Sequence, residues 1–174
     1  MLKPLLLAHL IVALVIADKY DRLYENGLQD IPDDAKLTPR ELANKYDYPF
    51  EDHYAETEDG YILNLWRIKH GAKGSGTNSH PVVLNHGLLA CGHTFMSNHP
   101  HLALAFVLAD SGYDVWLANN RGNTFSRNST KLNPNKKDFW DFDFEDMAVY
   151  DIPANLKYIA RTTGVQKVPY IGHS

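Results

Sequence analysis

Three short, mostly apolar runs constrain the fold of this chain more than any other feature of its sequence. Residues 81–84, 113–118 and 168–171 are of strand length, and their composition is typical of strands buried on both faces of a sheet. The segments between them carry apolar residues at helical spacing. Strands that alternate with helices form right-handed crossovers between parallel strands. The sequence therefore predicts an α/β protein with a mostly parallel sheet.

The segment between the first two runs predicts one amphipathic helix, which ends at Gly112 because glycine can adopt a left-handed conformation. Asn98 is a suitable N-cap, and Pro100 fits a first turn. The predicted inward face consists of Leu102, Ala105, Phe106 and Ala109.

A second helix is predicted to begin at Asp151 as its N-cap, with Pro153 in the first turn, and to end at Gly164. Its predicted inward residues are Leu156, Ile159 and Ala160. The acids beside it could suggest paired glycosidase carboxylates, but their density favours caps and partners of the helix dipole: Asp143, Glu145, Asp146 and Asp151. Nearby aromatic residues are predicted to pack beneath this helix and not to form an exposed lipid-contact patch: Phe139, Trp140, Phe142 and Phe144.

An antiparallel hairpin is predicted ahead of the first buried strand. Residues 53–57 and 61–68 have strand character, and Asp59-Gly60 between them suits a tight turn. We expect this pair at an edge of the sheet. Residues 69–79 contain glycines, lysines and serines without the spacing of a phosphate-binding loop, which predicts a flexible surface loop.

Residues 1–17 are predicted to be a signal peptide. Lys3 precedes an apolar run over residues 5–17, and we expect cleavage after Ala17. The run is shorter than the about twenty residues of a spanning helix, and no later segment could cross a bilayer. A buried N-terminal helix is the alternative. Asn128 begins the glycosylation sequon Asn-Ser-Thr, which agrees with export.

Charge and cysteine content exclude several classes of partner and site. The chain has 17 Lys+Arg against 21 Asp+Glu, a net charge of −4, which does not favour binding to nucleic acid. Its single cysteine, Cys91, cannot form an internal disulfide. Four histidines match none of the zinc-ligand spacings, so we expect neither a metal nor a cofactor: His86, His93, His99 and His101.

Two short motifs directly follow predicted parallel strands. Asn85-His86-Gly87 follows the first strand, and Gly172-His173-Ser174 follows the third. In open α/β sheets the chemistry takes place beyond the carboxyl ends of the strands. Gly-x-Ser after a buried strand is the first half of a nucleophile elbow, the sharp turn that exposes a serine hydroxyl to substrate.

These and other stretches together resemble the N-terminal part of the acid lipase family, which comprises the gastric and lysosomal lipases and their insect relatives. The resemblance covers nearly the whole mature chain. The matching stretches are YPFEDH at 48–53, TEDGYIL at 57–63, HGLL at 86–89, LAF at 104–106, LAD at 108–110, GYDVW at 112–116, RGNT at 121–124 and GHS at 172–174.

The resemblance implies an α/β-hydrolase that cleaves ester bonds of neutral lipids, triacylglycerols or sterol esters, at a lipid–water interface through a serine, a histidine and an aspartate. Ser174 falls on the nucleophile position, and the backbone N–H of Leu88 falls on a position that stabilises the oxyanion. The acid and the base are expected after Ser174, because α/β-hydrolases place them downstream of the nucleophile. His86 is therefore expected to shape its loop by hydrogen bonds and not to act as the base.

The resemblance also implies that residues 18–174 are the N-terminal portion of one α/β-hydrolase domain, truncated at the nucleophile elbow. This chain alone is expected to be inactive, and the whole protein is expected to be secreted or lysosomal. The alternative is a non-catalytic, exported lipid-binding protein on the same scaffold. The oligomeric state does not follow from the sequence.

Overall fold

The computed structural model describes residues 32–74 and 80–174. It divides into two compact units, Met1–Leu37 and Thr38–Ser174. The described part of the first unit contains one 3₁₀ turn, Asp33–Lys36, in which Lys36 forms an ion pair with Asp33. The predicted signal peptide at residues 1–17 lies outside the described residues, and so do residues 75–79 of the glycine-rich loop.

The second unit alternates strands and helices along the chain. Its described helices are α1 (Pro39–Lys45), α2 (Leu104–Asp110), α3 (Phe144–Asp146) and α4 (Ile152–Thr163). Its described strands are β1 (Glu51–Glu56), β2 (Tyr61–Ile68), β3 (Pro81–Asn85), β4 (Asp114–Ala118), β5 (Asn128–Ser129) and β6 (Tyr170–Gly172). None of the helices in the described ranges combines the length and the apolar character needed to cross a membrane.

The strands form one mixed sheet in the order β1-β2-β4-β3-β6, and β5 pairs with β2. β3 runs parallel to both β4 and β6, which confirms the predicted crossovers and the α/β class. β1 and β2 form the predicted antiparallel hairpin. β1 lies at the edge, whereas β2 lies inside the sheet because its other side pairs with β4.

The core explains why the apolar runs become central strands. Every residue of β3 and β4 is buried. Val83 and Trp116, which are register partners on these strands, belong to one apolar cluster that also includes Leu65 of β2 and Ile159 of α4. The helix α4 thus covers the face of the sheet that carries Leu65, Val83 and Trp116.

The last strand differs from its prediction. It spans Tyr170–Gly172 instead of residues 168–171, and it is not buried: Tyr170 retains 42% of its exposed surface. Within the described chain β6 pairs with β3 alone, so its outer edge and much of its two faces remain uncovered.

The predicted start of the first helix is wrong. α2 begins after Ala103, and Asn98 caps no helix. The N–H groups of Leu102 and Ala103 both donate to the carbonyl oxygen of His99, so a separate turn closes before the helix. Leu102 is consequently 66% exposed, whereas the other predicted inward residues are buried: Ala105, Phe106 and Ala109.

The predicted role of Asp151 as an N-cap is also wrong. The helix starts earlier, where Asp143 accepts hydrogen bonds from the N–H groups of Glu145 and Asp146 in a capping box. A π-helical turn, Met147–Asp151, then continues into α4. Asp151 has helical dihedral angles, and its side chain makes no capping hydrogen bond to the helix backbone. Its carboxylate is therefore available to bind another part of the chain. Asp143 and Asp146 do have the predicted capping roles.

Candidate active site at the carboxyl ends of the parallel strands

The two sequence motifs meet at one edge of the sheet. Asn85 at the end of β3 is the register partner of Gly172 at the end of β6. The His173 N–H donates a hydrogen bond of 3.0 Å to the carbonyl oxygen of Asn85. The parallel pairing therefore brings the loop that begins at His86 beside Ser174.

The backbone at Gly87 passes very close to Ser174. A Cβ atom at Gly87 would lie 2.9 Å from the Cβ of Ser174 and 2.9 Å from the carbonyl oxygen of His173. Contacts of that length from a Cβ atom to a carbon or an oxygen atom are repulsive, so this crossing requires a glycine. Ser174 itself has φ +68°, a left-handed conformation that costs a non-glycine residue about 1–3 kcal/mol. This strain is what a sharp turn exposing a serine requires.

The loop after Gly87 presents one backbone donor and two leucine side chains. Its turn is closed by a hydrogen bond from the Ala90 N–H to the Gly87 carbonyl oxygen. Among the described residues, the Leu88 N–H has no acceptor. The side chain of Leu88 is 64% exposed and that of Leu89 is 97% exposed, with Leu89 held at φ +59°. An N–H without an acceptor, on a loop that lines the same cleft as a serine, is a candidate donor to an oxyanion.

His86 is buried, and both of its ring nitrogens are engaged. Nδ1 lies 2.8 Å from the carbonyl oxygen of Gly87, and Nε2 lies 3.1 Å from the backbone nitrogen of Asn120. Burial lowers the pKa of His86 and outweighs the opposite effect of the bond to Gly87. The imidazole is therefore neutral and already satisfied, so it has no free nitrogen to accept a proton from Ser174.

The loop that supports His86 follows β4 and is rich in asparagine. Asn119 accepts hydrogen bonds from the Gly92 N–H and from the side chain of Asn123, and it donates to the carbonyl oxygen of Asn64. Ser126 donates to the carbonyl oxygen of Asn119. These bonds join β2, β4 and the segment after Leu88. The sequence shows these residues only as a polar, asparagine-rich stretch directly after a buried strand. Asn119, Asn120 and Asn123 were not among the predicted site residues.

A buried ion pair anchors the same loop. The guanidinium and backbone N–H of Arg121 donate to both carboxylate oxygens of Asp151, at 2.7 to 2.9 Å. Arg121 also donates to Asp59 at 2.6 Å, and it lies over the ring of Tyr61 at 4.0 Å. Burial acts to raise the pKa of Asp59, but the hydrogen bonds from Arg121 and Thr57 outweigh it, so that pKa is lowered. Arg121 thereby connects the hairpin turn, the loop and the helix.

A cleft of about 830 Å³ opens beside Ser174. Its lining is largely apolar and includes Leu88, Leu89, Phe142, Phe144, Met147 and Ile152. Trp140, Phe142 and Phe144 line this cleft instead of packing beneath the helix, which corrects the prediction, and Phe144 is 65% exposed. Phe139 is buried, but it packs against Tyr61 of β2. Residues 137–140 form a separate 3₁₀ turn before α3. Trp140 and the phenylalanines that follow it therefore lie toward the cleft and not beneath α4.

The other histidines of the predicted set and the cysteine do not form one cluster in the described residues. His99 and His101 contact each other through Nδ1 at 2.6 Å, whereas His93 is half-buried elsewhere. No group of three or more His, Cys, Asp or Glu side chains is placed to hold a metal within residues 32–74 and 80–174. Cys91 is a free thiol that lines the cleft. Asn128, the glycosylation candidate, is exposed on the short strand β5.

Two family models match the chain, and they cover almost all of the second unit. Residues 39–99 match a partial α/β-hydrolase lipase region, and residues 80–174 match the α/β-hydrolase fold. The chain belongs to the α/β-hydrolase family. Its resemblance to the acid lipases is also confirmed by its relatives.

Gastric and lysosomal lipases are among these relatives. The chain is 44% identical over 143 residues to gastric triacylglycerol lipase of Rattus norvegicus, which covers 81% of this chain and 36% of that protein. It is 40% identical over 167 residues to lysosomal acid lipase/cholesteryl ester hydrolase of Homo sapiens, which covers 95% of this chain and 42% of that protein. The chain thus spans less than half the length of the curated relatives it matches.

Two solved structures share the fold at low sequence identity. An esterase of Pyrococcus furiosus matches with a TM-score of 0.51 and 21% identity, over 78% of this chain and 44% of that chain. A membrane phospholipase A, described as a bacterial virulence factor, matches with a TM-score of 0.51 and 15% identity, over 99% of this chain and 44% of that chain. These matches confirm the α/β-hydrolase fold.

Proposed function

We propose that this chain carries the nucleophile and one oxyanion donor of a serine ester hydrolase that acts on neutral lipid esters. The observation that carries the proposal is the left-handed Ser174 at the end of a parallel strand, in contact with the Gly87 backbone and open to an apolar cleft. A strained serine costs stability, and such strain is typical of functional sites. The similarity to gastric and lysosomal lipases supports the same conclusion.

In the proposed reaction the Ser174 hydroxyl attacks the ester carbonyl carbon and forms a tetrahedral intermediate. The Leu88 N–H, which has no acceptor among the described residues, would donate to the negative oxygen of that intermediate. A base must take the proton of the hydroxyl, because a free serine is too weakly acidic to attack an ester. Within the described residues no side chain is hydrogen-bonded to Ser174, and both nitrogens of His86 are engaged. We therefore propose that the base and acid follow Ser174 and that this chain alone is inactive.

The cleft supports a lipid ester as the substrate class. Its apolar lining can bind an acyl chain by removing its surface from water. Exposed Leu88, Leu89 and Phe144 at its mouth offer an apolar surface to a lipid–water interface. The names of the relatives include both triacylglycerol and cholesteryl ester, so triacylglycerols and sterol esters are the two proposed substrates.

Export is part of the proposal. The predicted signal peptide and the exposed Asn128 sequon support secretion or delivery to a lysosome, and the relatives include gastric and lysosomal proteins by name. Mass spectrometry of the secreted polypeptide tests this point: we expect an N-terminus at residue 18 and a glycan on Asn128.

The function is tested with the polypeptide encoded by the whole reading frame that contains these 174 residues. Wild type and the matched Ser174→Ala variant are assayed on emulsified triacylglycerol and on cholesteryl ester. We expect hydrolysis of at least one substrate and a loss of about 10⁴-fold or more in Ser174→Ala. Equal activity of the two proteins would refute the proposal.

The alternative is a non-catalytic lipid-binding protein on the same scaffold, for which the apolar cleft would be the binding site. It predicts no hydrolysis by either protein, together with binding of a fluorescent fatty-acid ester in the cleft. Substitution of Phe142 by Asp should abolish that binding, because a carboxylate would enter the apolar lining.

A further inference from the structure

His86 lies between two loops and does not touch the Ser174 hydroxyl. Its side chain is buried at the end of β3, with the Gly87–Ala90 turn on one side and the asparagine-rich loop after β4 on the other. A buried histidine that bonds to two separate backbone segments fixes their distance from one another. The chemistry of those bonds decides which form of the ring can do so.

Only one form of the imidazole satisfies all its neighbours. The Gly87 carbonyl can only accept, so Nδ1 must carry a proton; the Asn120 N–H can only donate, so Nε2 must be bare. Asn123 adds a second donor to Nε2 at 3.2 Å. Its amide orientation is fixed, because its oxygen accepts from the N–H groups of Phe125 and Ser126. The neutral ring protonated on Nδ1 is therefore the form that fits.

Small movements of this turn reach the nucleophile directly. The Gly87 backbone lies against Ser174 so closely that it leaves no room for a Cβ atom. The next residue carries the Leu88 N–H, which no described group accepts. A displacement of a few tenths of an ångström at Gly87 would change the geometry between that N–H and Ser174.

We propose that His86 is a positioning residue, which in its neutral, Nδ1-protonated form holds the Gly87–Leu88 turn at the working distance from Ser174. The inference rests on the proposed hydrolase function for its catalytic consequence. Its structural part, the tautomer and the two bonds, stands independently of that function.

The surroundings of the ring favour the neutral form. Arg121, on the loop that contacts Nε2, is paired with Asp59 and Asp151, and its charge is thereby compensated. His173 lies against Gly87 on the side of β6. No charged side chain hydrogen-bonds to His86 among the described residues, and burial lowers the pKa of its imidazole.

Three substitutions at His86 separate its two bonds. His86→Asn places an amide near the position of Nδ1, where it can still donate to the Gly87 carbonyl, and His86→Gln reaches toward Nε2, where it can accept from Asn120. His86→Phe keeps the ring shape and makes neither bond. His53→Phe is the matched control, because His53 is also hydrogen-bonded through both nitrogens but contacts Tyr158 and Glu51 away from the cleft.

The kinetic test uses the polypeptide of the whole reading frame and a soluble short-chain ester. We expect His86→Phe to lower kcat about 10²-fold or more, as loss of an oxyanion donor does, while KM changes less than about threefold. His86→Asn should recover at least about tenfold of that loss, and His53→Phe should keep the wild-type kcat. Equal kcat for His86→Phe and wild type, or a loss confined to KM, would overturn the proposal. If His86→Phe does not fold, the order of His86→Asn above His86→Gln decides it.

The spectroscopic test needs no activity. In ¹⁵N-histidine NMR of the wild-type protein at neutral pH, the ring signal that disappears in His86→Asn should show a protonated Nδ1 and a bare Nε2. A proton on Nε2 would overturn the proposal even in an active enzyme. If wild type hydrolyses no ester but the ring has the expected form, the proposed function fails and the structural assignment of His86 holds.

Discussion

Removing the carboxylate of Asp151 should destabilise this protein far more than removing a helix cap. The side chains of Arg121 and Asp151 retain 1% and 0% of their exposed surface, so Asp151→Ala leaves a buried guanidinium with only the partly exposed Asp59 to compensate it. Breaking a buried pair in this way costs about 3–5 kcal/mol, whereas loss of an N-cap costs about 0.5–2 kcal/mol. We therefore expect the free energy of unfolding to fall by about 3–5 kcal/mol.

Urea unfolding followed by circular dichroism measures this loss, with Asp143→Ala as the matched control. Asp143 is the true N-cap at the start of the same helix, and its substitution should cost about 1 kcal/mol. If Asp151→Ala does not fold, the double variant Arg121→Met/Asp151→Leu should recover the fold, because it leaves no unpaired charge at the fully buried positions, and Asp59, which loses Arg121, is partly exposed to water. Equal losses for Asp151→Ala and Asp143→Ala would refute the assignment of a buried ion pair.

Three further predictions follow from the contacts around the serine. Gly87→Ala places a methyl group 2.9 Å from the Ser174 Cβ and the His173 carbonyl oxygen. We therefore expect the free energy of unfolding in urea to fall by about 1–3 kcal/mol and the rate of ester hydrolysis to fall at least tenfold. If neither the stability nor the rate changed, the close approach of Gly87 to Ser174 would be contradicted. Burial lowers the pKa of His86 below the value of about 6.5 in the unfolded chain, so protons bind first to the unfolded state as the pH falls. The free energy of unfolding of the wild type should therefore be constant above about pH 6.5 and decrease below it. In His86→Phe the free energy of unfolding should decrease less steeply below this pH. Identical pH profiles of the two proteins would count against a buried neutral ring. Leu89→Asp should leave the rate of hydrolysis of a soluble short-chain ester unchanged but lower that of emulsified triacylglycerol several-fold. The reason is that Leu89 is 97% exposed at the mouth of the cleft, where it can contact a lipid surface. An equal loss of rate on both substrates would argue against an interfacial role of Leu89.

Local apolar patterns predicted the elements whose burial is complete. The runs at 81–84 and 113–118 identify β3 and β4, because apolar runs this short suit a strand buried on both faces and are too short for a typical helix. The hairpin was predicted equally well, since Gly60 has the positive φ that its turn demands. The parallel pairing then follows from the order of strands and helices.

Elements that depend on distant partners were predicted less well. Asp151 looks like an N-cap in sequence because Pro153 would fall in the first turn after it, but its partner Arg121 is thirty residues away and no local pattern shows it. The start of α2 was wrong because the His99 carbonyl closes a turn that competes with capping by Asn98. β6 was expected to be buried, but within the described chain it has a neighbour on one side only.

The candidate site could be predicted in outline but not in its supporting contacts. Two motifs at the ends of parallel strands must lie at the same edge of the sheet, so the proximity of Gly87 and Ser174 follows from topology. The bonds from Asn120 and Asn123 to His86 depend on how a long loop folds back, which has no periodic signal. The aromatic lining of the cleft was missed for the same reason.

The claim that Ser174 is the attacking group is tested most directly by covalent labelling. The polypeptide of the whole reading frame is treated with a fluorophosphonate, which modifies activated serines, and the modified peptide is sequenced by mass spectrometry. We expect a single adduct on the Ser174 oxygen and none in Ser174→Ala. An adduct on another serine, in a protein that hydrolyses lipid esters while Ser174 stays unmodified, would contradict it.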